Sequence, residues 1–218
     1  MPLTDLNPPP PHWRPAQTTP VYAQRLLSGN PGAAALSTLV RSRDSLTARL
    51  ETLTGASVRV YVYIQGEARA RPDELTALGL SSGRLVWRRE VVLRVRGEAL
   101  VAARSVMALA DCPPWIAGMG SRALGHQLFA RRARAPQKGA IRRSPIEIAV
   151  VPPGAFHTPA LESVAPDTSA AAPLLARRST FILDQRRQLL VQETFLPALI
   201  QYILSAPGHR QPAAAAFS

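Results

Sequence analysis

The amino-acid sequence predicts an α+β protein with a single antiparallel, six-stranded β-sheet and flanking helices. Six segments combine the alternation and the β-branched or aromatic residues that are typical of strands. Short connections join four of these segments into two hairpins, and hairpins make a sheet antiparallel. Segments with helical spacing of apolar residues are inserted between the strands, which favours an α+β fold.

The elements before the first hairpin follow from local patterns. Residues 33–54 carry leucines at mostly three- and four-residue spacings, which predicts one helix, and Gly55 ends it. Residues 57–65 alternate as a strand does. Residues 72–80 predict a short helix, because proline is well tolerated in a first helical turn.

The two hairpins and the elements between them complete the pattern. Residues 84–96 and 98–109 are apolar-rich runs joined at Gly97–Glu98, which predicts a hairpin. The remaining elements are a helix, a strand and a second hairpin, at residues 121–132, 144–151, and 176–183 with 187–195.

The 218 residues suit one domain with two tails. Residues 1–32 form a proline-rich lead, residues 33–205 are predicted to be the domain, and residues 206–218 form a tail. A low-complexity stretch at residues 152–173 predicts a long surface loop within the domain.

Composition narrows the classes of function. The net charge of +12 suggests nucleic acid, and the basic cluster at residues 131–143 is the best candidate contact, but total charge also describes a solvated surface. No apolar run is long enough to span a bilayer and no signal peptide is present, so a cytoplasmic protein without stable membrane insertion is expected. With one cysteine, scattered histidines and no glycine-rich phosphate loop, neither a metal nor a cofactor is expected.

Charged residues on apolar strand faces point to a site. Arg89 is the one charge on an otherwise apolar face of its strand, and the mixed opposite face is expected to meet solvent. With a turn at Gly97–Glu98, Val91 pairs with Arg104, which puts Arg104 on the same face as Arg89.

The last strand repeats this pattern with the opposite charge. Glu193 lies on an otherwise apolar face of residues 187–195. Buried charges are paired or serve a site, so one interpretation is a structural Arg–Glu pair that bridges two strands. The other is a site for an anionic ligand, which would balance the two cations Arg89 and Arg104.

Four fragments in order resemble the chorismate pyruvate-lyases. They are WRREVVLRVRGEALVAARSV (87–106), RALGHQLF (122–129), SPIEI (144–148) and ARRSTFILDQRRQLLVQETFLP (176–197). The resemblance spans residues 34–202. It implies a carbon–oxygen lyase that converts chorismate into 4-hydroxybenzoate and pyruvate at the start of ubiquinone biosynthesis, as a monomer with no cofactor and no nucleic acid partner.

The resemblance also assigns roles to residues of this sequence. Arg89 would bind a carboxylate and Glu193 would face the ring hydroxyl, and both are the expected catalytic residues. Leu124 would present its backbone to the ligand. Leu46 stands where the family has a methionine, and Arg104 matches a family arginine and is expected as a second cation of the substrate site.

Three other functions remain open at this point. One is a non-catalytic effector-binding domain of related fold, although the 32 residues before the domain are too few for a winged helix. Another is nucleic-acid binding through residues 131–143. The third is a chorismate-consuming enzyme with a different product.

Overall fold

The computed structural model describes Trp13 and residues 33–134, 141–151, 174–184 and 186–205. The predicted loop at 152–173, the tail at 206–218 and the lead apart from Trp13 lie outside the described residues. Helices run over α1 (Ala33–Arg41), α2 (Leu46–Thr54), α3 (Pro72–Leu78), α4 (Pro114–Ala117), α5 (Leu124–Arg134) and α6 (Pro197–Ser205).

The described part of the chain has seven strands, which form one sheet. They are β1 (Arg59–Arg69), β2 (Leu85–Val95), β3 (Glu98–Ala108), β4 (Arg142–Arg143), β5 (Glu147–Val151), β6 (Leu174–Ile182) and β7 (Gln188–Phe195). The order across the sheet is β1-β2-β3-β7-β6-β4, with β5 also paired to β6, and every pair is antiparallel. The α+β class is therefore confirmed, while the predicted count of six strands is wrong because the two-residue strand β4 was missed.

The helix predicted over 33–54 is two helices. The chain leaves helical geometry after Arg41, and Ser45 then caps α2 by accepting a hydrogen bond from the backbone N–H of Ala48 at 3.4 Å. Serine and aspartate favour such caps over helix interiors, which explains the break in the run Ser42–Ser45. Gly55 ends α2 in the left-handed conformation, as predicted (φ 62°).

The β2–β3 hairpin differs from the predicted register by two residues beside its turn and by one residue beyond a bulge. Its turn is Arg96–Gly97, both with positive φ (50° and 88°), so Val95 pairs with Glu98. A bulge then shifts the pairing between Leu93 and Arg94. As a result Arg104 lies opposite Glu90, and Arg89 lies opposite Ser105. The prediction that Arg104 shares a face with Arg89 is therefore wrong.

Both faces of the sheet are covered. We call the face that carries Arg89 and Glu193 the front face and the face that carries Glu90 and Arg104 the back face. Helices α1, α2 and α6 pack on one half of the front face in one apolar cluster, and α5 packs on the other half. On the back face α3 and Trp13 lie over the strands, and Glu90 and Arg104 are buried. The expectation that this face meets solvent is therefore wrong.

Candidate active site

A pocket lies where the front face meets the beginnings of α2 and α5. It contains about 540 Å³ of space not occupied by protein atoms, a volume that includes solvent at its mouth. Apolar side chains of the sheet and both helices form much of its wall. The polar lining consists of Asp44, Thr47, Arg89, Ser105, Arg143, Arg177 and Glu193.

Arg89 is a buried cation at this pocket, only 2% exposed. One terminal nitrogen, Nη2, donates to the carbonyl oxygens of Gly120 (2.8 Å) and Arg122 (3.0 Å) in the loop before α5. Its Nε is buried and has no hydrogen-bond partner among the described residues. Burial lowers the pKa of the Arg89 guanidinium to about 10, so the group is still charged at neutral pH.

Glu193 is held by a second arginine. Strand register places Arg177 of β6 directly opposite Glu193 of β7, and Arg177 Nε donates to Glu193 Oε2 at 2.6 Å. Arg177 Nη1 also donates to the carbonyl oxygens of Leu39 (3.0 Å) and Ser42 (2.9 Å) at the end of α1. A cation is favourable at a helix C-terminus, so Arg177 fixes the carboxylate and joins it to α1.

Arg143 is the third cation of the pocket. Its Nε donates to Ser179 Oγ at 2.7 Å, and its guanidinium carbon lies 5.0 Å from the ring centroid of Phe181. Its Nη2 is 3.9 Å from Glu193 Oε2. Burial lowers the pKa of the Arg143 guanidinium to about 10, an effect that the charge of Glu193 opposes.

Leu46 and Leu124 are the first residues of α2 and α5, and both line the pocket. The two helices approach closely here, because a Cβ added to Gly125 would lie 2.7 Å from Ser45 Oγ. Both helices thus begin at the pocket, where the positive ends of their dipoles favour an anion.

Arg104 lies outside this pocket. On the back face its Nε donates to Glu74 Oε1 at 2.5 Å and its Nη1 donates to Glu90. Burial by itself would lower the pKa of Arg104, but the hydrogen bonds and charges of Glu74 and Glu90 outweigh it and raise the pKa. The expected second cation of the site is therefore not Arg104, which is paired with two carboxylates of its own face.

The structure thus brings together Arg89, Glu193, Leu46 and Leu124, and it adds Arg143 and Arg177. Alternation along residues 176–183 carried a signal for Arg177, since it shares its strand face with Phe181. Arg143 lies in a two-residue strand that exists only through pairing with β6, so no local pattern marks it. Among the described lining residues, three arginines against Glu193 and Asp44 leave one positive charge in excess, which favours an anionic ligand.

Among the described residues no group of three or more His, Cys, Asp and Glu side chains is placed to hold a metal ion. None of the described helices combines the length and the apolar character that crossing a bilayer requires.

Comparison with solved structures finds transcriptional regulators. The C-terminal domain of the histidine utilization repressor from Pseudomonas syringae pv. tomato matches with a TM-score of 0.48 and 10% identity, covering 65% of this chain and 92% of that chain. A GntR-family regulator from Bacillus cereus matches with a TM-score of 0.49 and 14% identity, covering 65% and 92%.

Comparison with curated sequences finds proteins named probable chorismate pyruvate-lyase. The one from Methylococcus capsulatus is 39% identical over 170 residues, covering 77% of this chain and 98% of the relative. The one from Chromohalobacter salexigens is 39% identical, and the match covers 73% of this chain and 79% of the relative. The one from Pseudomonas fluorescens Pf-5 is 36% identical, and the match covers 90% of this chain and 98% of the relative. The family model for chorismate lyase matches residues 29–203. The resemblance seen in the sequence is therefore confirmed, and the chain belongs to the chorismate lyase family, a family of lyases.

Proposed function

We propose that this protein eliminates pyruvate from chorismate and releases 4-hydroxybenzoate. The observation that carries the proposal is that one pocket contains two groups of opposite charge, the desolvated cation Arg89 and the carboxylate Glu193. They lie two strands and two residues apart in the sheet, which corresponds to roughly 12 Å between their Cα atoms. Two long side chains at this separation can hold a six-membered ring between them.

Each group suits one end of the proposed ligand. Arg89 has a buried nitrogen with no partner among the described residues, and a guanidinium binds a carboxylate through two parallel hydrogen bonds. Glu193, bonded to Arg177, offers carboxylate oxygens to a ring hydroxyl as acceptors. Leu124 and Leu46 place the first turns of two helices beside the ring.

The chemistry demands little beyond this arrangement. The bond between a ring carbon and the ether oxygen breaks, a ring proton leaves, and the expelled enol tautomerises to pyruvate, while the ring becomes aromatic. Because aromatisation supplies a large driving force, the protein has chiefly to hold the dianion in a reactive pose and stabilise the developing negative charge. Buried arginines do both in a site of low dielectric.

The proposal extends to the setting of the reaction. The domain at residues 33–205 would act as a monomer in the cytoplasm, with chorismate as its partner and neither nucleic acid nor cofactor required. Release of 4-hydroxybenzoate would begin ubiquinone biosynthesis.

One assay tests the proposal. Incubation with chorismate is expected to yield equal amounts of pyruvate and 4-hydroxybenzoate. Arg89→Ala and Glu193→Ala are each expected to lower kcat/KM by about 10²- to 10⁴-fold with the fold intact, because each removes a charged group at the reacting molecule. Arg59→Ala, an exposed arginine of β1, is the matched control.

Two results would contradict the proposal. Near-normal turnover in both Arg89→Ala and Glu193→Ala would show that these two residues are not catalytic. Saturable binding of chorismate without any pyruvate would instead indicate a non-catalytic effector-binding domain.

A further inference from the structure

Arg143 keeps donor capacity that the described residues do not use. Its Nε donates to Ser179 Oγ and its Nη1 to the carbonyl oxygen of Ser42 at 3.4 Å. Its Nη2 makes no hydrogen bond to any described residue, since the nearest carboxylate oxygen, Glu193 Oε2, is 3.9 Å away. A guanidinium nitrogen facing a pocket in this way can donate to a ligand.

The surroundings of the Arg143 guanidinium strengthen a hydrogen bond from it to an anion. The Arg143 side chain is only 5% exposed, and Phe181 stacks under its guanidinium. The hydrogen bond from Arg143 Nε to Ser179 holds the guanidinium in place, so little conformational freedom is lost when an anion binds. Arg177 differs in that its Nε already donates to Glu193 at 2.6 Å, so its guanidinium is engaged by a carboxylate of the protein.

The chemistry of the proposed substrate supplies a partner. Chorismate has a second carboxylate on its enolpyruvyl side chain, and this side chain is attached to the ring carbon next to the one that carries the hydroxyl. If the hydroxyl lies at Glu193 and the ring carboxylate at Arg89, the second carboxylate comes close to Glu193. Arg143 and Arg177 are the cations at that end of the pocket, and Arg177 is already hydrogen-bonded to Glu193.

We propose that Arg143 binds the enolpyruvyl carboxylate and thereby determines specificity for the substrate over the aromatic product. This inference rests on the proposed function. The product 4-hydroxybenzoate lacks the second carboxylate, whereas pyruvate retains it. Arg143 therefore contributes to binding of the substrate and of the leaving group, where negative charge develops as the ether bond breaks.

Arg143→Gln tests the inference by comparing two ligands. The variant is expected to lower kcat/KM for chorismate about 10- to 100-fold, the effect of losing a charged hydrogen bond. Its Kd for 4-hydroxybenzoate is expected to stay within about twofold of the wild type. Arg143→Lys, which keeps the cation, is expected to recover part of kcat/KM. Arg142→Gln removes the same charge from the exposed neighbour in β4 and should change neither value.

The outcomes separate the inference from the proposed function. If wild-type protein forms no pyruvate, the proposed function fails. If the wild type is active and Arg143→Gln weakens both ligands in parallel, Arg143 is a structural residue and the inference is overturned. Unchanged kcat/KM in the variant overturns it as well. Should Arg143→Gln not fold, the Arg143→Lys variant decides, since it must affect chorismate and leave 4-hydroxybenzoate unaffected.

Discussion

Arg89 and Arg177 show how two buried arginines on one sheet face acquire different tasks. Arg177 has a carboxylate partner across the hairpin, whereas Arg89 has only two carbonyl oxygens and a buried nitrogen without a partner among the described residues. Desolvation therefore lowers the pKa of Arg89 to about 10. A charge buried without a counter-charge is costly, and an anionic ligand relieves that cost.

This difference predicts a pH dependence of anion binding. Benzoate carries the carboxylate but no titrating hydroxyl, and its affinity is expected to be constant from pH 7 to 9, where Arg89 is protonated. Above pH 10 the affinity should fall about tenfold per pH unit, because the guanidinium loses its proton. Isothermal titration calorimetry across this pH range measures the benzoate affinity, and circular dichroism checks that the protein stays folded.

A lysine at the same place provides the comparison. In Arg89→Lys the fall is expected to begin at lower pH, since an ammonium starts from a lower pKa and is also lowered by burial. A decline in wild-type affinity between pH 7 and 8.5 would contradict the assignment of Arg89 as the anion-binding group.

Individual residues differed in how far the sequence revealed them. Arg89 and Glu193 are marked by alternation alone, because a single charge on an apolar strand face needs no tertiary information. Arg104 was misplaced because its face depends on a turn and a bulge whose combined shift is one residue. Arg143 was missed because long-range pairing creates its strand.

At the scale of elements, α3 illustrates how a seven-residue helix is held on a sheet. Isolated helices of this length are not stable in water. Glu74 of α3 is bonded to Arg104 of β3 through two nitrogens, and Asp73 lies 3.3 Å from Arg178 Nη1 of β6. Burial would raise the pKa of Glu74, but the hydrogen bonds and charges of Arg104 and Arg71 together outweigh it and lower the pKa. The helix is thus fixed by charge pairs at its first turn.

Removal of Arg104 should therefore destabilise the fold without affecting the site. Arg104→Met removes the cation that buried Glu74 and Glu90 share and leaves Glu90 only Arg88 Nη1 at 3.6 Å, so the free energy of unfolding is expected to fall by about 3–5 kcal/mol. Chemical denaturation measures this, with Arg59→Met as a surface control expected to change it by less than about 0.5 kcal/mol. The Kd for 4-hydroxybenzoate should be unchanged under conditions where the variant is folded. Weaker binding of 4-hydroxybenzoate by the fully folded variant would instead indicate that Arg104 belongs to the site.

At the scale of the whole molecule, the sheet separates two groups of charges by strand alternation. On the back face, cross-strand neighbours form a row over five strands, each in register with the next: Glu90, Arg104, Gln192, Arg178 and Glu147. Each of the first four is adjacent in sequence to a residue that lines the front pocket. Two arginines and two glutamates balance one another in the back row, while the described lining of the pocket keeps an excess of positive charge.

The limits of prediction follow from the same arrangement. The order of most elements and the antiparallel class were predictable, because hairpins and helical spacing are local. Coverage of the back face was not, since it depends on α3 and Trp13 reaching strands distant in sequence: Trp13 Nε1 donates to Glu147 Oε2 at 3.1 Å. The net charge of +12 says nothing about which arginines lie on which face.

The two hydrogen bonds from Arg89 to the loop before α5 have a consequence for proteolysis. They hold the carbonyl groups of Gly120 and Arg122, and the Arg122 side chain is exposed. In Arg89→Ala this loop should open more often, so trypsin is expected to cut after Arg122 at least about tenfold faster. Cutting after Arg96, in the exposed β2–β3 turn, should not change, and mass spectrometry of both fragments distinguishes local release from general unfolding. The Arg89 side chain would then have two roles: it would bind the anion, and it would protect the loop at residues 120–122 from trypsin.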